Sequence, residues 1–402
     1  MTYQETLKWM FSQLPMYQRQ GKIAFKKNMT NILAFSKELG FPEKKIKTIH
    51  VGGTNGKGST SHMIASVLQE AGYKVGLYTS PHLKKFTERI RINGKEISKQ
   101  KVTKFIESNK PFLEKQKLSF FEMTVGLAFS TFAKEKVDIA VIEVGLGGRL
   151  DSTNIITPEV SVITNIGLDH TQFLGEILPE IAFEKAGIIK KNTPVVIGEY
   201  QKEVVAVFIN KSKKNNSKII FASDDKKNYL TDLLGDYQKN NTKTAVTAIK
   251  QLKGFKISDN HIKKGLLNVV KNTNLLGRWQ VLQDNPKVIC DTAHNKEGLS
   301  YVLHQLKNEK YNKLHIVLGV VNDKKLEDVL PLFPKKAIYY FCKPNIIRGL
   351  NEKELQKIAK KFGLKGESFF SVNKAYKKAV SSAKNSDLIY VGGSTFVVAE
   401  VI

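Results

Sequence analysis

Residues 50–60 read His50-Val51-Gly52-Gly53-Thr54-Asn55-Gly56-Lys57-Gly58-Ser59-Thr60, after an apolar run at 46–51 and before a helical pattern. A strand that turns through glycines into a helix directs backbone N–H groups and the positive end of the helix dipole onto one point. Glycines allow an anion to approach the backbone, Lys57 adds a mobile positive charge, and the Ser59 hydroxyl can contact Mg²⁺. The stretch therefore predicts a phosphate-binding loop; a glycine turn without a ligand is the alternative.

This loop departs from the strict G-x-x-x-x-G-K-[ST] pattern, because three residues separate Gly52 from Gly56 and Gly58 occupies the hydroxyl position. The variant resembles the phosphate loop of the Mur ligase family, in particular of its folylpolyglutamate synthase and dihydrofolate synthase branch. Further motifs in the family's order extend the resemblance over essentially the whole chain. It implies ATP and Mg²⁺ as cofactors, with nucleotide contacts from Gly53, Thr54, Asn55, Gly56, Lys57, Gly58, Ser59 and Thr60.

Composition limits the class of protein. The chain has 402 residues, of which 41% are hydrophobic, so two or three compact units are expected. Its two cysteines, Cys290 and Cys342, provide neither a disulfide framework nor metal-ligand spacing. The first residues lack the order of a signal peptide, and no apolar run approaches the roughly 20 residues of a membrane span. We expect a cytoplasmic protein without a membrane partner.

The chain is strongly basic, with a formal net charge of +27. Such a charge can indicate nucleic acid as a partner. Here the basic residues are mostly lysines spread over helix faces, without an arginine-rich arm or interleaved aromatic residues. We expect no nucleic-acid partner and a monomer whose surface suits anionic ligands such as ATP and polyglutamate. A nucleic-acid-dependent NTPase remains the less favoured alternative.

Predicted strands alternate with helices and indicate an α/β fold with a doubly wound, mostly parallel sheet. An Asn-Gly pair within 90–97 predicts a hairpin. Near the chain start we predict two helices, at 3–14 and 29–39, with a polar loop at 16–21 between them. Gly40 is the predicted stop of the second helix. The strands of the first unit are predicted at 46–51, 75–79, 137–143 and 160–165.

A second series of strands indicates a smaller, Rossmann-like domain without a phosphate loop of its own. We predict a linker at 272–279, a solvated lysine-rich loop at 211–217 and helices over 244–265. The predicted domains are 1–274, with the ATP and folate sites, and 275–402, which contributes to ATP and glutamate binding. The strands of the second domain are predicted at 287–290, 314–318, 337–341 and 388–391.

Glu143 ends a buried strand and is the candidate carboxylate for Mg²⁺, an ion that takes few, oxygen-rich protein ligands. A solvated glutamate at a strand end is the alternative. Ser80 and His170 also follow strands, where a capping serine and a packed histidine would be the ordinary interpretations. The resemblance implies that both join Glu143 around the metal.

The resemblance assigns further roles near the metal. Lys185 would ordinarily be interpreted as a surface lysine, but the family motif implies that it is carbamylated by CO₂ and helps to hold Mg²⁺. A lysine that reacts in this way must be partly neutral, and hence desolvated or close to other cations. Arg89 matches an arginine that steadies carboxylates or the reaction intermediate.

The remaining site residues also follow from the resemblance. Asn241 matches an adenine-side residue, Arg278 and Asp291 match ATP contacts, and His294 and Ser394 lie towards the incoming glutamate. Thr292 and Lys296 stand where the family more often has glycine and proline. A flat heterocycle needs aromatic and carboxylate contacts, and the implied folate contacts are Ser119, Phe120, Phe121, Glu122, Leu150, Asp151 and Ser152. From the sequence alone, the phenylalanines are typical of core.

The resemblance implies an ATP-dependent ligase that adds L-glutamate to the carboxylate of tetrahydrofolate, with dihydropteroate left open as a second acceptor. An acyl phosphate would be the intermediate, and Lys57, Mg²⁺ and Arg278 would neutralise the phosphate charge. The catalytic candidates are Lys57, Lys185, Arg89 and His294. Closure of the two domains is expected to complete the site. Another Mur-type amino-acid ligase, of cell-wall synthesis, is the alternative within the family.

Overall fold

A computed structural model describes residues 1–14, 28–322 and 325–402 of the chain. The polar loop predicted at 16–21 lies outside these residues. The chain divides into two compact units. Unit 1 comprises Met1–Asp232 and Gln238–Asn274, and unit 2 comprises Leu233–Tyr237 and Leu275–Ile402.

Within the described residues, unit 1 contains one eight-stranded sheet in the order β4-β3-β2-β5-β1-β6-β7-β8. All neighbouring strands are parallel except at β3, which is antiparallel to both β2 and β4. This confirms the predicted fold class and the hairpin; β7 and β8, with three residues each, were not predicted. The strands are β1 Thr48–Gly52, β2 Val75–Tyr78, β3 Ile90–Ile92, β4 Lys95–Glu96, β5 Ile139–Glu143, β6 Val160–Ile163, β7 Val195–Ile197 and β8 Ile219–Phe221.

Helices cover both faces of this sheet, as buried parallel strands require. The described helices are α1 Tyr3–Gln13, α2 Thr30–Glu38, α3 Lys57–Glu70, α4 Lys99–Gln116, α5 Phe120–Lys134, α6 Thr171–Leu174, α7 Leu178–Ala186, α8 Val205–Lys214, α9 Gln238–Ile249, α10 Asp259–Leu267 and α11 Val269–Thr273. Short 3₁₀ turns lie at Pro42–Lys45, Phe86–Arg89, Ser152–Ile155 and Ala222–Asp224. No helix among the described residues is long and apolar enough to cross a membrane.

Two interpretations of local sequence were wrong. Residues 211–214, predicted as loop, form the last turn of α8, because Phe208 and Ser212 give that helix a buried face that its lysines obscure in the sequence. The linker predicted at 272–279 is shorter. Residues 272–273 of the predicted linker belong to the end of α11, and Trp279 is buried in the core of unit 2.

Unit 2 has a six-stranded sheet in the order β13-β12-β11-β14-β10-β9, parallel except for the β9–β10 pair. The four predicted strands of this unit are confirmed, and β9 and β13 are additional. The strands are β9 Gln280–Asp284, β10 Lys287–Cys290, β11 Leu314–Leu318, β12 Ile338–Cys342, β13 Gly366–Phe369 and β14 Leu388–Gly392. Its described helices are α12 Lys296–Asn308, α13 Leu326–Val329, α14 Glu352–Lys361, α15 Val372–Ser382 and α16 Thr395–Val401, with a 3₁₀ turn at Leu330–Leu332.

Close packing of α2 on α5 anchors the largest apolar cluster of unit 1. Phe35 is fully buried there, and a Cβ atom at Gly126 would lie 2.3 Å from its ring. A side chain at position 126 therefore has no room, and the helix accepts a glycine in its interior despite the lower propensity. The ring of Phe35 fills the space that this glycine leaves.

Replacement of Phe35 by alanine is expected to lower the free energy of unfolding of unit 1 by about 3–5 kcal/mol, because the cavity cannot be refilled. Urea unfolding followed by circular dichroism measures the change. Leu33→Ala in the same helix is the control. Leu33 is 54% exposed, so its loss should cost no more than about 0.5 kcal/mol, and equal costs for the two variants would contradict this packing.

Candidate active site

The phosphate-binding loop has the backbone that its glycines predict. Strand β1 ends at Gly52, helix α3 begins at Lys57, and the turn between them places Gly53 and Gly56 at positive φ, +133° and +81°. A Cβ atom at Gly53 would lie 1.9 Å from Thr164 Oγ1, and one at Gly56 would lie 2.2 Å from Asn241 Oδ1. Both the conformation and the close approach therefore require glycine.

The first turn of α3 presents its backbone donors to a ligand. Gly56 is the N-cap residue, and the Thr60 N–H donates to its carbonyl at 2.9 Å, which closes the first turn. The preceding N–H groups have no partner within the helix, and among the described residues no side chain caps them. These N–H groups and the helix dipole fit the phosphates of ATP.

The loop after β6 holds the glycine turn in place. Asn165 accepts two N–H bonds, from Thr54 to its backbone carbonyl and from Asn55 to its side-chain Oδ1, both at 2.9 Å. Its amide nitrogen donates to Glu199 at 3.1 Å, and Thr164 Oγ1 donates to the Asn55 carbonyl at 2.6 Å. Sequence reasoning did not select Asn165 and Glu199 as site residues. Both follow parallel strands of the sheet, and polar residues at that position were the available signal, because ligands bind at this edge.

Two lysines share one carbonyl of this turn. Lys57 Nζ donates to the carbonyls of Gly53 and Thr54 at 3.1 and 2.9 Å, and Lys185 Nζ, from α7, donates to the carbonyl of Gly53 at 2.8 Å. Burial, and secondarily the charge of Lys57, lowers the pKa of Lys185 from 10.5 to about 7. Lys185 thus has the desolvation and the neighbouring cation that a reactive lysine needs.

Glu143 and Ser80 meet at neighbouring strand ends. Glu143 ends β5, is 4% exposed, and its Oε2 accepts from the Ser80 N–H at 2.9 Å. His170 caps α6 at a φ of +52°, with its Nε2 4.0 Å from Asp169. The described residues contain no group of three His, Cys, Asp or Glu that could hold a metal ion. A buried carboxylate with few companions suits Mg²⁺, which keeps several of its waters.

Three residues of the predicted folate segment at 119–122 make helix-capping or core contacts. Ser119 and Glu122 form a capping box for α5, with Glu122 Oε2 accepting from the Ser119 N–H at 2.7 Å and Ser119 Oγ accepting from the Glu122 N–H at 3.2 Å. Phe120 lies in the core, stacked 5.5 Å from Phe11. Phe121 is only partly buried, with its ring 6.3 Å from that of Tyr78, and is the better placed of the two rings to contact a ligand.

Both carboxylate oxygens of Asp151 accept hydrogen bonds from residues of the surrounding loop. Its Oδ1 accepts from the N–H and the hydroxyl of Thr153, and its Oδ2 accepts from the N–H groups of Gly145 and Leu146 at 3.1 and 2.9 Å. Burial raises the pKa of this carboxyl, which these donors oppose. Ser152 begins the 3₁₀ turn that Asp151 caps. Leu150 lines a small cavity together with Leu146, Gly147, Phe173 and Leu174.

Arg89 is buried beside the aromatic residues. Its Nε donates to His82 Nδ1 at 2.8 Å, and its guanidinium lies 5.3 Å from the centre of the Phe120 ring. Burial, followed by the charge of Arg89, lowers the pKa of His82 to about 3, so His82 is a neutral acceptor. Sequence reasoning did not identify His82 as a candidate site residue.

In unit 2, Asp291 organises the segment after the domain boundary. Its Oδ2 accepts from Tyr237 Oη at 2.6 Å and from the Trp279 N–H at 2.7 Å. Arg278 donates to Thr292 Oγ1, and His294 Nδ1 lies 3.0 Å from the Thr292 carbonyl. The threonine that departs from the family pattern thus contacts both predicted ligand residues.

Two further predicted residues also make helix contacts. Ser394 caps α16 and accepts from the Phe396 N–H at 3.2 Å. In unit 1, Asn241 packs on Gly56 of the phosphate loop, and its amide donates to Gln238 at 2.8 Å. Gln238 in turn donates to Ser59 Oγ at 3.2 Å, so helix α9 is hydrogen-bonded to the first turn of α3.

Comparison with known families and structures places these sites in context. Residues 51–281 match the Mur ligase middle domain, and residues 277–395 match the Mur ligase, glutamate ligase domain. A dihydrofolate synthase/folylpolyglutamate synthase of Buchnera aphidicola is 34% identical over 390 residues, which are 93% of each chain.

Two solved structures share the fold over the whole chain. E. coli FolC in complex with DHPP and ADP is 28% identical, with a TM-score of 0.87, and is matched over 100% of this chain and 97% of that one. A bifunctional folylpolyglutamate synthase/dihydrofolate synthase with Mn, AMPPNP and L-glutamate bound is 27% identical with the same coverage and a TM-score of 0.85.

The lowered pKa of Lys185 predicts a pH dependence of stability. The unfolded lysine binds a proton up to about pH 10.5, whereas the folded one releases it near pH 7. The unfolded chain therefore binds more protons between these values, and this group makes folding more favourable as the pH rises through the window. Lys185→Met removes the effect. Urea midpoints of both chains at pH 7.5 and 9.5, in CO₂-free buffer, should rise more with pH in the wild type, and parallel behaviour would refute the burial of this amine.

Proposed function

This chain belongs to the Mur ligase family, in the branch of the dihydrofolate synthase/folylpolyglutamate synthases, and we propose that it joins L-glutamate to the carboxylate of tetrahydrofolate. It is an ATP-dependent ligase, as its family membership shows. We extend the proposal to dihydropteroate as a second acceptor. The relatives that carry both names, and the E. coli structure with DHPP and ADP, support this extension.

The uncapped first turn of α3 beside two lysines is the observation that carries the proposal. In the turn, positive charge is concentrated where backbone N–H groups converge, and a triphosphate is the anion that such a site binds. Glu143, Ser80, His170 and a carbamylated Lys185 are the groups that would hold Mg²⁺. A bound Mg²⁺ would neutralise phosphate charge and orient the phosphates.

The proposed reaction has two steps. An oxygen of the acceptor carboxylate attacks the γ-phosphorus of ATP, the bond to the β-phosphate oxygen breaks, and ADP leaves. The amine of glutamate then attacks the carbonyl carbon of the acyl phosphate, phosphate departs with the former carboxylate oxygen, and the nitrogen releases a proton. Phosphorylation is required because a free carboxylate would have to expel oxide.

The chain's own residues bind and orient in this scheme rather than act as nucleophiles. Lys57 would leave the Gly53 and Thr54 carbonyls for the phosphates and oppose the charge that develops in the first step. Arg89 would steady the acceptor carboxylate or the acyl phosphate. The acceptor site would be shaped by Phe121 and by the loop that contains Leu150, Asp151 and Ser152. Ser119 and Glu122 would contribute by capping helix α5, which carries Phe121.

Further assignments complete the proposal. Asn241 would contact adenine, Arg278 and Asp291 would contact ATP, and His294 and Ser394 would contact glutamate. We also propose a cytoplasmic monomer without nucleic-acid or membrane partners. The comparisons do not favour the cell-wall ligase or the nucleic-acid-dependent NTPase.

Mass spectrometry of the products tests the function directly. The protein is incubated with ATP, Mg²⁺ and glutamate, and with tetrahydrofolate or dihydropteroate in separate reactions. We expect each acceptor to gain glutamyl units in the presence of ATP. Gain with one acceptor only would restrict the activity to that acceptor, and no gain with either would refute the proposal.

Lys57→Ala should reduce the turnover number by about 100-fold or more, since it removes a charge aimed at the transferring phosphoryl group. The same product assay measures it. Lys253→Ala is the control, because Lys253 is exposed and lies outside the loop. Unchanged turnover in Lys57→Ala, or an equal loss in both variants, would contradict the role of this lysine.

A further inference from the structure

A chain of buried hydrogen bonds connects the strand under the phosphate loop to the loop after β5. His50 lies on β1 and is completely buried, and its Nε2 is 2.8 Å from Thr153 Oγ1. The Thr153 hydroxyl donates to Asp151 Oδ1. Asp151 Oδ2 in turn accepts the N–H groups of Gly145 and Leu146. All three side chains are at least 95% buried.

The directions of these bonds fix the tautomer of His50. A hydroxyl has one hydrogen to donate, and Thr153 gives it to the carboxylate. Thr153 Oγ1 must therefore accept from His50, and the proton of the imidazole is on Nε2. The other ring nitrogen, Nδ1, is buried and has no hydrogen-bond partner among the described residues, which is consistent with an unprotonated Nδ1.

The last link of the chain reaches an aromatic ring of the proposed acceptor site. A Cβ atom at Gly145 would lie 2.3 Å from Phe121 Cζ and 3.1 Å from Asp151 Oδ2. The Gly145 backbone is thus held by Asp151 and packs against the ring of Phe121. A shift of this turn cannot leave the ring where it is.

We propose that His50 and Thr153 are positioning residues for the acceptor: through Asp151 they fix the Gly145–Leu146 turn and hence the ring of Phe121. The inference rests on the proposed function, because it takes Phe121 as an acceptor contact. It assigns Asp151 the holding of this turn, since each of its oxygens accepts two hydrogen bonds from the surrounding loop.

Thr153→Val and Thr153→Ser are the matched test, since valine keeps the shape of threonine and serine keeps its hydroxyl. In Thr153→Val we expect the KM for the acceptor to rise about tenfold, the effect of one lost buried hydrogen-bond partner, while the KM for ATP stays within about twofold. Thr153→Ser should keep the KM for the acceptor close to the wild-type value. Thr193→Val, a buried threonine elsewhere in unit 1, is the control and should change neither constant.

Equal effects of valine and serine at 153, or a joint rise of both KM values, would overturn the proposal. If Thr153→Val does not fold, His50→Gln and His50→Met provide a second pair. Glutamine places an N–H near the position of Nε2, whereas methionine cannot donate, so only His50→Met should raise the acceptor KM.

Nitrogen-15 NMR of imidazole-labelled protein tests the hydrogen-bond chain without any activity. The His50 signal, identified by its loss in His50→Gln, should show a protonated Nε2 and an unprotonated Nδ1. Protonation at Nδ1 would overturn the proposal. If the wild-type protein adds no glutamate while this tautomer is observed, the proposed function fails and the hydrogen-bond chain stands.

Discussion

The side-chain nitrogens of two lysines, Lys57 and Lys185, donate to one backbone carbonyl, that of Gly53. Burial, followed by the charge of Lys57, lowers the pKa of Lys185, and the partial loss of its charge relieves repulsion between the two side chains. An anion bound at the turn would relieve it further. The glycines at 53 and 56 make this arrangement possible, since any side chain there would strike Thr164 or Asn241. The rest of unit 1 can be understood as support for this turn.

Strand pairing brings the other site residues to the same edge of the sheet. Val51 pairs with Glu143, so the end of β5 lies beside the start of the phosphate loop, and Gly52 pairs with Ile163 at the end of β6. Carboxyl ends of parallel strands share one edge. Glu143, Asn165 and the glycine turn are therefore neighbours, although 86 residues lie between β1 and β5 and 107 between β1 and β6 in the chain. A doubly wound sheet makes this juxtaposition without any specific long-range sequence signal.

Much of the fold could be predicted from the sequence, because buried parallel strands are continuous apolar runs and the glycine-lysine turn has a characteristic pattern. The strands β7 and β8 escaped prediction because they have three residues each, and β9 and β13 escaped it because they are only partly buried and lack an apolar run. Helix α8 was missed in part because its lysines mask a buried face. Single polar residues that act over long sequence distances, such as Asn165, Glu199 and Thr153, carry no periodicity. The family pattern located Asp151, but only the structure shows that its oxygens are already occupied.

A crystal structure with Mg²⁺ and a non-hydrolysable ATP analogue tests the central claim most directly, namely that the turn at 53–59 binds the triphosphate beside Glu143. The account predicts phosphate oxygens on the N–H groups at the start of α3, Lys57 Nζ moved from the Gly53 and Thr54 carbonyls to the phosphates, and Glu143 directed at the metal. A nucleotide bound elsewhere, or Lys57 still on its own loop with the nucleotide in place, would contradict it.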